Sequence, residues 1–412
     1  MFNTIMLVFQ IVFALLGLYQ LFLTCFGWHR KKEDLSHPPQ KTFALLVAAH
    51  NEEQVVGALI ENLLKLKYPR ELFDIFVICD NCTDRTVDIV NSYEGVYACV
   101  RNNKNQRGKG YAVEWMLKEL WKMPKSYDGV AIFDADNLVA TDFLQYMNND
   151  LMNGHQVIQG YLDTKNPNDS WISSANAINY WFCNRLWQLP RTNLGLANFL
   201  GGTGMCFDAK LLQEMGWGAT SLVEDLEFTV RCIQRGIYPK FNFEAKVFDE
   251  KPITFQASAR QRLRWMQGHF DVTRKYMLPL LWQGIKDRSM TKIDAALYVF
   301  NAYNYLAGFF IAAIIWGDML LFSGNNVESV YNLLPIWLSV PYMAYVFIQI
   351  PLSMYMAKVP WKLYLRIPTF LLFTLSWWPI TVHAFFTQNN KKWSHTQHTR
   401  VIRLEDVQSK QL

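Results

Sequence analysis

Charged side chains are missing from four long stretches of this 412-residue sequence. Residues 1–28, 295–317, 329–357 and 367–390 contain no Asp, Glu, Lys or Arg. Each stretch exceeds the roughly 18 residues that indicate a membrane-spanning helix. Residues from about 40 to 256 have mixed charge and ordinary loops instead. The sequence therefore predicts a membrane anchor, a soluble domain and then a cluster of membrane segments.

Signals for several other functions are also missing. The chain has no G-x-x-x-x-G-K-[ST] phosphate loop, no internal repeat and no basic-aromatic patch, so no nucleic-acid partner is expected. Its seven cysteines are scattered, and Cys79 and Cys82 form the one C-x-x-C. A zinc or redox site is one interpretation of that pair. Because there is no second pair, we favour a buried strand end and its turn.

The first apolar run resembles an anchor more than a secretory signal. No Lys or Arg precedes it, it has no small-residue cleavage site, and Arg30, Lys31 and Lys32 follow it at once. The positive-inside rule then places the residues from 29 onward in the cytoplasm. We expect a multi-pass protein of the cell membrane with its soluble domain in the cytoplasm.

The later apolar runs raise a topological conflict. If all three cross the bilayer, the tail ends outside, yet Lys391, Lys392, Arg400 and Arg403 favour the inside. We therefore predict that one of these three runs is re-entrant or interfacial.

Short apolar runs alternate with helical patterns in the soluble domain. This alternation predicts βαβ units, a parallel sheet and an α/β fold. The predicted strands are Phe43–Ala48, Ile75–Cys79, Tyr97–Val100 and Val130–Phe133, and the predicted helices are 52–67, 84–92 and 110–122.

Polar clusters follow three of these strands. His50-Asn51-Glu52 follows the first, Asp80-Asn81 the second and Asp134-Ala135-Asp136 the fourth. Ligands of parallel sheets bind beyond the carboxyl ends of the strands. We therefore predict that this edge of the sheet is the active site.

The D-x-D cluster suits a metal ion. Asp134 and Asp136 flank a small residue, and alternate residues of a strand face the same side, so both carboxylates can reach one ligand. Two oxygen donors and a diphosphate make a good site for Mg²⁺ or Mn²⁺. The other interpretation is a solvated turn, since D-x-D is common.

Two later segments also carry polar groups. Glu224-Asp225 opens a predicted helix, where acids are common because of the helix dipole, but one carboxylate could also take a proton from an attacking hydroxyl. Gly201-Gly202-Thr203-Gly204 is either a tight loop or a turn that lets the backbone approach a sugar, with Thr203 donating a hydrogen bond.

The segment Arg260-Gln261-Arg262-Leu263-Arg264-Trp265 lies in a helix predicted from Ala257 to about Tyr276. Gln261, Arg264 and Trp265 share one face of it. Arginine binds phosphate in a bidentate manner, and the indole offers a flat face to a sugar ring. An amphipathic helix on the membrane surface is a compatible interpretation.

The motifs in their order resemble family 2 membrane glycosyltransferases, a resemblance that covers about residues 40 to 270. Similar enzymes include the cellulose, hyaluronan, chitin-oligosaccharide and poly-N-acetylglucosamine synthases. The resemblance implies a GT-A fold and an inverting transfer from a UDP-sugar, UDP-glucose or UDP-N-acetylglucosamine. The matching motifs are Val47-Ala48-Ala49-His50-Asn51-Glu52-Glu53, Asp80-Asn81-Cys82-Thr83-Asp84, Arg107-Gly108-Lys109-Gly110, D-A-D, G-G-T-G, E-D and Q-R-L-R-W.

The resemblance also implies roles for individual residues. Asp225 is expected to be the catalytic base, with Glu224 beside it, and Asp136 to bind the metal with Asp134 near the nucleotide. The remaining expected substrate contacts are Asn51, Glu52 and Asp80 around the uridine, Lys109 at the diphosphate, Thr203 at the sugar, Gln261, Arg262, Arg264 and Trp265 at the acceptor and donor phosphate, and Trp393, Thr396 and His398 in a gating motif of the tail.

Two departures from the family pattern affect these expectations. The second motif has Asp-Asn-Cys where many relatives have Gly or Ser, which alters the expected uridine pocket. The tail has His398 where cellulose synthases have Lys.

The predicted function is synthesis of a β-linked polysaccharide at the cytoplasmic membrane face. A growing glycan is the expected acceptor, the bilayer is a partner, and a homo-oligomer or an accessory export subunit would complete a narrow channel. The alternative left open is transfer of one sugar to a membrane lipid. The predicted organisation is an anchor at 1–28, a GT-A domain at 40–256, interfacial helices at 257–290, a membrane cluster at 294–388 and a cytoplasmic tail at 389–412.

Overall fold

An eight-stranded sheet is the centre of the soluble domain in the computed structural model, which describes residues 2–219, 221–322, 327–330, 335–390 and 401–409. The strand order is β3-β2-β1-β4-β7-β6-β8-β5. The strands are β1 (Phe43–Ala49), β2 (Phe73–Asp80), β3 (Val96–Arg101), β4 (Gly129–Asp134), β5 (Leu138–Val139), β6 (Val157–Thr164), β7 (Met205–Asp208) and β8 (Lys240–Asp249).

The first half of the sheet is parallel, as the alternating pattern predicts. β1 pairs in parallel with β2 and β4, and β2 pairs in parallel with β3. The connecting helices are α2 (Val56–Leu63), α3 (Thr86–Asn91) and α4 (Lys109–Leu120). Both faces of β1 are covered, which explains its continuous apolar sequence. The four predicted strands are confirmed.

The second half of the sheet is mixed, so the parallel prediction is wrong there. β7 is antiparallel to β4 and β6, while β8 pairs in parallel with β6 and antiparallel with β5. β5 has two residues and β7 has four, so neither shows a periodic pattern long enough to recognise.

The remaining helices surround the sheet and continue into the apolar segments. Among the described residues, 3₁₀ turns occupy Cys25–Gly27, Arg70–Leu72 and Trp361–Arg366, and a π-helical turn occupies Asn184–Gln188. The helices are α1 (Phe2–Thr24), α5 (Phe143–Met152), α6 (Trp171–Cys183), α7 (Leu189–Asn193), α8 (Ala209–Met215), α9 (Glu224–Gln234), α10 (Phe255–Lys286), α11 (Met290–Val299), α12 (Asn301–Leu321), α13 (Ile336–Met356), α14 (Ile367–Leu375), α15 (Trp377–Thr387) and α16 (Leu404–Ser409).

Four segments of the described chain are long and apolar enough to cross a membrane: Asn3–Gly27, Asn301–Leu321, Ile336–Met356 and Trp361–Thr387. The fourth differs from the others because it is broken into a 3₁₀ turn, α14 and α15. α15 packs along α10: Phe270 contacts Phe385, and Gln267 Nε2 donates to Thr387 Oγ1 at 2.9 Å.

The first apolar helix is tied to the rest of the protein by polar contacts. The Tyr19 hydroxyl donates to Asp294 at 2.9 Å, and Asp294 pairs with the buried Arg191 of α7. One turn further on, at the last residue of α1, Gln349 of α13 donates to Thr24 at 3.1 Å. α1 is therefore integrated with both α13 and the soluble domain.

The described end of the tail rests on the soluble domain. Ile402, Leu404 and Val407 pack with Leu138 and Phe248, which belong to β5 and β8. The predicted gating residues Trp393, Thr396 and His398 lie outside the described residues.

Candidate active site

A cleft opens at the carboxyl ends of β1, β2 and β4, where the strand-end clusters predict it. The start of α4, the 201–204 loop, the start of α9 and one face of α10 complete its walls. The predicted residues that line it are Glu52, Asp80, Lys109, Asp134, Asp136, Thr203, Glu224, Asp225, Gln261, Arg264 and Trp265.

The β2 end of the cleft holds an ion pair. Arg101 Nη1 lies 2.5 Å from Asp80 Oδ1, and both side chains are almost completely buried. Burial raises the pKa of Asp80, although Arg101 opposes the shift. The Asp80 carbonyl contacts His50 Nδ1 at 2.6 Å.

Asn51 does not line the cleft, although it was predicted as a substrate contact. Its backbone has a φ of 55°, a left-handed conformation that asparagine tolerates. Its side-chain oxygen accepts a hydrogen bond from the Thr83 backbone N–H at 2.7 Å. Asn51 thus connects the loops that follow β1 and β2.

Cys79 is buried at the end of β2 and Cys82 lies in the following turn, which agrees with the interpretation favoured for the C-x-x-C pair.

Lys109 stands at the first turn of α4, opposite the D-x-D cluster. Its ammonium donates to Asp134 and to the carbonyl of Gly202. Burial opposes the charge of Lys109, but the carboxylates of Asp134, Glu224 and Asp225 outweigh burial and raise its pKa. Lys109 therefore remains a cation in the cleft.

Asp136 is held in place by the residue that follows β8 and by its own neighbour Asn137. The Glu250 backbone N–H donates to Asp136 Oδ2 at 3.1 Å, and Asn137 Nδ2 lies 3.3 Å from Asp136 Oδ1. Among the described residues there is no group of three or more side chains that could hold a metal. Mg²⁺ is commonly bound by one or two carboxylates together with substrate phosphates, so Asp134 and Asp136 fit such an ion.

Thr203 is buried below the D-x-D turn. Its hydroxyl donates to Asn137 Oδ1 and accepts from the Asp134 backbone N–H at 3.1 Å. These contacts use the hydroxyl to position Asp134, so the predicted hydrogen bond from Thr203 to a sugar stays a prediction.

The first two residues of α9 place two carboxylates side by side in the cleft. Two glycines permit close packing here: a Cβ on Gly110 would lie 3.4 Å from Glu224 Cβ, and one on Gly268 would lie 2.7 Å from Val223. α4 and α10 can therefore both approach the start of α9. Asp225 Oδ1 accepts a hydrogen bond from the Leu226 backbone N–H at 2.8 Å.

The two carboxylates titrate differently from ordinary acids. Burial and the charge of Asp225 raise the pKa of Glu224 to about 7, against the opposing effect of Lys109. Burial also raises the pKa of Asp225, although the Leu226 N–H, Lys109 and Arg264 lower it. The negative charge of Asp225 therefore acts on Glu224, whose pKa lies near neutrality. An ionised carboxylate with a raised pKa suits a general base.

One face of α10 closes the cleft, and it presents Gln261, Arg264 and Trp265 as predicted from their spacing. Trp265 also packs against the apolar cluster that contains Phe199 and Val223. Arg262 was predicted as a substrate contact, but it is not brought to the cleft. Each residue of a helix is turned about 100° from the last, so Arg262 points instead toward α14 and α15.

A model of the family described as "Glycosyltransferase like family 2" matches residues 38–268. This chain is a family 2 glycosyltransferase. The match confirms that the protein is an enzyme of the family to which its motifs are similar.

Curated relatives of this glycosyltransferase carry different names. It is 25% identical over 293 residues to "Probable glycosyltransferase YdaM" of Bacillus subtilis, covering 67% of this chain and 68% of that protein. It is 28% identical over 240 residues to "Beta-monoglucosyldiacylglycerol synthase" of Nostoc, covering 55% and 48%. It is 25% identical over 252 residues to "Poly-beta-1,6-N-acetyl-D-glucosamine synthase" of Staphylococcus aureus, covering 59% and 58%. The chain thus spans about half the length of the two named synthases.

A solved structure shares the fold. The glycosyltransferase aligns with "Mannosyltransferase PcManGT from Pyrobaculum calidifontis in complex with GDP-Man and Mn2+" at a TM-score of 0.63 and 15% identity, over 95% of this chain and 100% of that one. The soluble domain has the GT-A fold, which confirms the predicted fold class.

Three polar residues that line the cleft of this glycosyltransferase belong to none of the predicted motifs. Asp249 is the last residue of β8, Glu250 follows it, and Tyr180 comes from α6. Lys251 Nζ lies 2.6 Å from Asp249 Oδ2 and 2.9 Å from the centroid of the Tyr180 ring. The strand-end rule applied to β8 could have found the two acids, whereas no local signal marks Tyr180.

Proposed function

We propose that this glycosyltransferase uses UDP-glucose or UDP-N-acetylglucosamine to extend a β-linked polysaccharide at the cytoplasmic face of a membrane. One observation carries the proposal. A single cleft brings the Glu224-Asp225 pair to Lys109, Asp134 and Arg264, and its roof is a helix that also packs on an apolar segment.

The cationic side of the cleft suits a nucleoside diphosphate. Lys109 and Arg264 would stabilise the negative charge that develops on the leaving UDP. A divalent cation held by Asp134 and Asp136 would supply further charge neutralisation at the diphosphate. The structurally similar mannosyltransferase is described with Mn²⁺. Glu52 and Asp80 would lie at the nucleoside end.

Asp225 would act as the base. Its carboxylate takes the proton of an acceptor hydroxyl while the hydroxyl oxygen attacks the anomeric carbon from the side opposite UDP. The bond from the anomeric carbon to UDP breaks as the new glycosidic bond forms. An α-linked donor therefore gives a β-linked product.

The acceptor is expected to be a sugar because Trp265 lies at the roof of the cleft. Its indole offers a flat surface on which a pyranose can stack. A relative named as a poly-N-acetylglucosamine synthase supports this proposal. A polymer would also need a path through the membrane, for which a second copy or an accessory subunit would supply additional helices.

A lipid acceptor is the second candidate. It is favoured by the relatives named as β-monoglucosyldiacylglycerol synthases and by the packing of α15 along α10, which leaves three of the four apolar segments to enclose a chain. This chain matches relatives named for both kinds of product, at 28% and 25% identity, so the product itself must distinguish the two acceptors.

Product size separates these candidates. Membranes that contain the full chain are supplied with radiolabelled UDP-glucose or UDP-N-acetylglucosamine, and membranes with the Asp225→Asn chain are the control. Label in a large product that is insoluble in organic solvent supports polysaccharide synthesis. Label in a solvent-extractable product with one sugar supports the lipid acceptor, and no label from either donor contradicts the proposed donor class.

A further inference from the structure

Arg262 belongs to the Q-R-L-R-W segment but lies on a different side of α10 from its neighbours. Its side chain has no exposed surface, whereas Gln261, Arg264 and Trp265 reach the cleft. Arg262 therefore faces the apolar segments and not the cleft.

The guanidinium of Arg262 meets the break between α14 and α15. Its Nη1 donates to Ser376 Oγ at 2.8 Å and to the Phe373 carbonyl at 3.4 Å. The last carbonyls of a helix have no partner within that helix, so Arg262 supplies a donor to the end of α14. The cation also lies 4.3 Å from the centroid of the Phe373 ring and 5.2 Å from that of Trp377.

Burying the Arg262 cation carries a cost in the free energy of folding. Within the described part of the chain, Arg262 has no carboxylate in salt-bridge contact, and its Nη2 atom has no hydrogen-bond partner. Burial lowers its pKa to about 10. An apolar side chain of similar size usually costs less in such a place than a cation without an anionic partner.

A second contact joins α10 to α15 further along the two helices. Gln267 Nε2 donates to Thr387 Oγ1 at 2.9 Å and to the Thr387 carbonyl at 3.1 Å, at the end of α15. Arg262 and Gln267 thus attach α10 to the ends of α14 and α15. Both contacts lie on the side of α10 that faces the apolar segments.

We propose that Arg262 is a positioning residue: by binding the break between α14 and α15, it orients the face of α10 that presents Arg264 and Trp265 to the donor and acceptor. The inference rests on the proposed function, since Arg264 and Trp265 act on the substrates only in that reaction. A rotation of α10 by part of a turn would move Arg264 away from the leaving diphosphate.

The test compares three substitutions in the full-length protein: Arg262→Met, Arg262→Lys and Ser376→Ala. The matched control is Arg274→Met on the same helix, because Arg274 is half exposed and its partner Asp271 keeps a second cation, Lys275, at 2.7 Å. We expect Arg262→Met to keep or raise Tm but to lower kcat/KM for the UDP-sugar about 10- to 100-fold, the scale expected for a displaced catalytic group. Ser376→Ala and Arg262→Lys should show smaller losses in the same direction, and Arg274→Met should show none.

Hydrogen–deuterium exchange gives a readout that does not depend on activity. The peptide that contains residues 261–265 should exchange faster in Arg262→Met than in the wild type. A folded Arg262→Met enzyme with wild-type kcat/KM would overturn the inference, and so would lost activity with unchanged exchange in that peptide. If Arg262→Met does not fold, Ser376→Ala decides by the same two measurements. Absence of transfer by the wild-type enzyme from any UDP-sugar would instead reject the proposed function.

Discussion

At the scale of single residues, the assignment of Asp225 as the base gives a direct prediction. Asp225→Asn keeps the shape of the side chain and removes its basicity, so kcat should fall more than about 100-fold. Binding of UDP, measured by calorimetry, should remain close to that of the wild type. Glu119→Gln on the exposed face of α4 is the control. Transfer by Asp225→Asn at more than about a hundredth of the wild-type rate would reject Asp225 as the base.

Glu224 and Asp225 also predict a pH effect. Burial and the charge of Asp225 raise the pKa of Glu224 to about 7, so Glu224 gains its negative charge as the pH rises through that value. A second negative charge beside the diphosphate should weaken donor binding, and KM for the UDP-sugar should rise above pH 7.

The matched variant for this pH effect is Glu224→Gln, which stays neutral at every pH. Its KM should not show the rise near neutral pH, while the loss of activity at low pH, which reports protonation of Asp225, should remain. An identical rise in KM in both enzymes would show that another group titrates.

The D-x-D carboxylates predict dependence on a divalent metal. Transfer by membranes treated with excess EDTA should cease and should return when Mg²⁺ or Mn²⁺ is added. Asp136→Ala should need a higher metal concentration for half-maximal rate. Full turnover in EDTA without added metal would contradict the metal assignment.

Among the residues of the cleft, those at the ends of strands could be predicted from the sequence. Asp80 and Asp134 follow strands whose apolar pattern is plain, so the sheet rule brings them to one edge. Asn51 and Thr203 were predicted as substrate contacts because they belong to recognisable motifs. A motif does not reveal that their side chains are used by Thr83 and Asn137, since those partners come from distant loops.

At the scale of elements, the same contrast appears within the sheet. β1 to β4 alternate with helices and were predicted, whereas β5 to β8 were not, because their pairing depends on contacts between residues distant in sequence. α10 was predicted, but it runs from Phe255 to Lys286 and is longer than expected. Its membrane-side contacts with α14 and α15 involve residues about 110 positions away, which no local pattern reports.

α10 carries a prediction of its own through Trp265. Trp265→Ala removes the flat surface offered to the acceptor and leaves the nucleoside end of the cleft unchanged, so UDP binding should persist. The product should become shorter or disappear, as judged by gel filtration of labelled glycan. Leu278→Ala, at an exposed position of α10, is the control. Wild-type glycan made at the wild-type rate by Trp265→Ala would remove the stacking role and weaken the case for a sugar acceptor.

At the scale of the whole molecule, the position of the tail bears on the topology. α16 packs on β5 and β8, so the tail and the soluble domain must lie on the same side of the membrane. The N-terminal segment and two further crossings, by α12 and α13, satisfy that requirement. We therefore expect the fourth apolar segment to lie at the membrane surface, which agrees with its break at Ser376 and with the packing of α15 along α10.

We therefore predict three crossings, with the N-terminus outside and the tail inside. A cysteine introduced as Ser409→Cys should react with a membrane-impermeant maleimide only after cells are permeabilised. Ser329→Cys, which lies between α12 and α13, should react in intact cells, and the unsubstituted chain corrects for the native cysteines. If Ser409→Cys reacted in intact cells as Ser329→Cys does, the tail could not pack on a cytoplasmic domain, and the surface position of the fourth segment would be wrong.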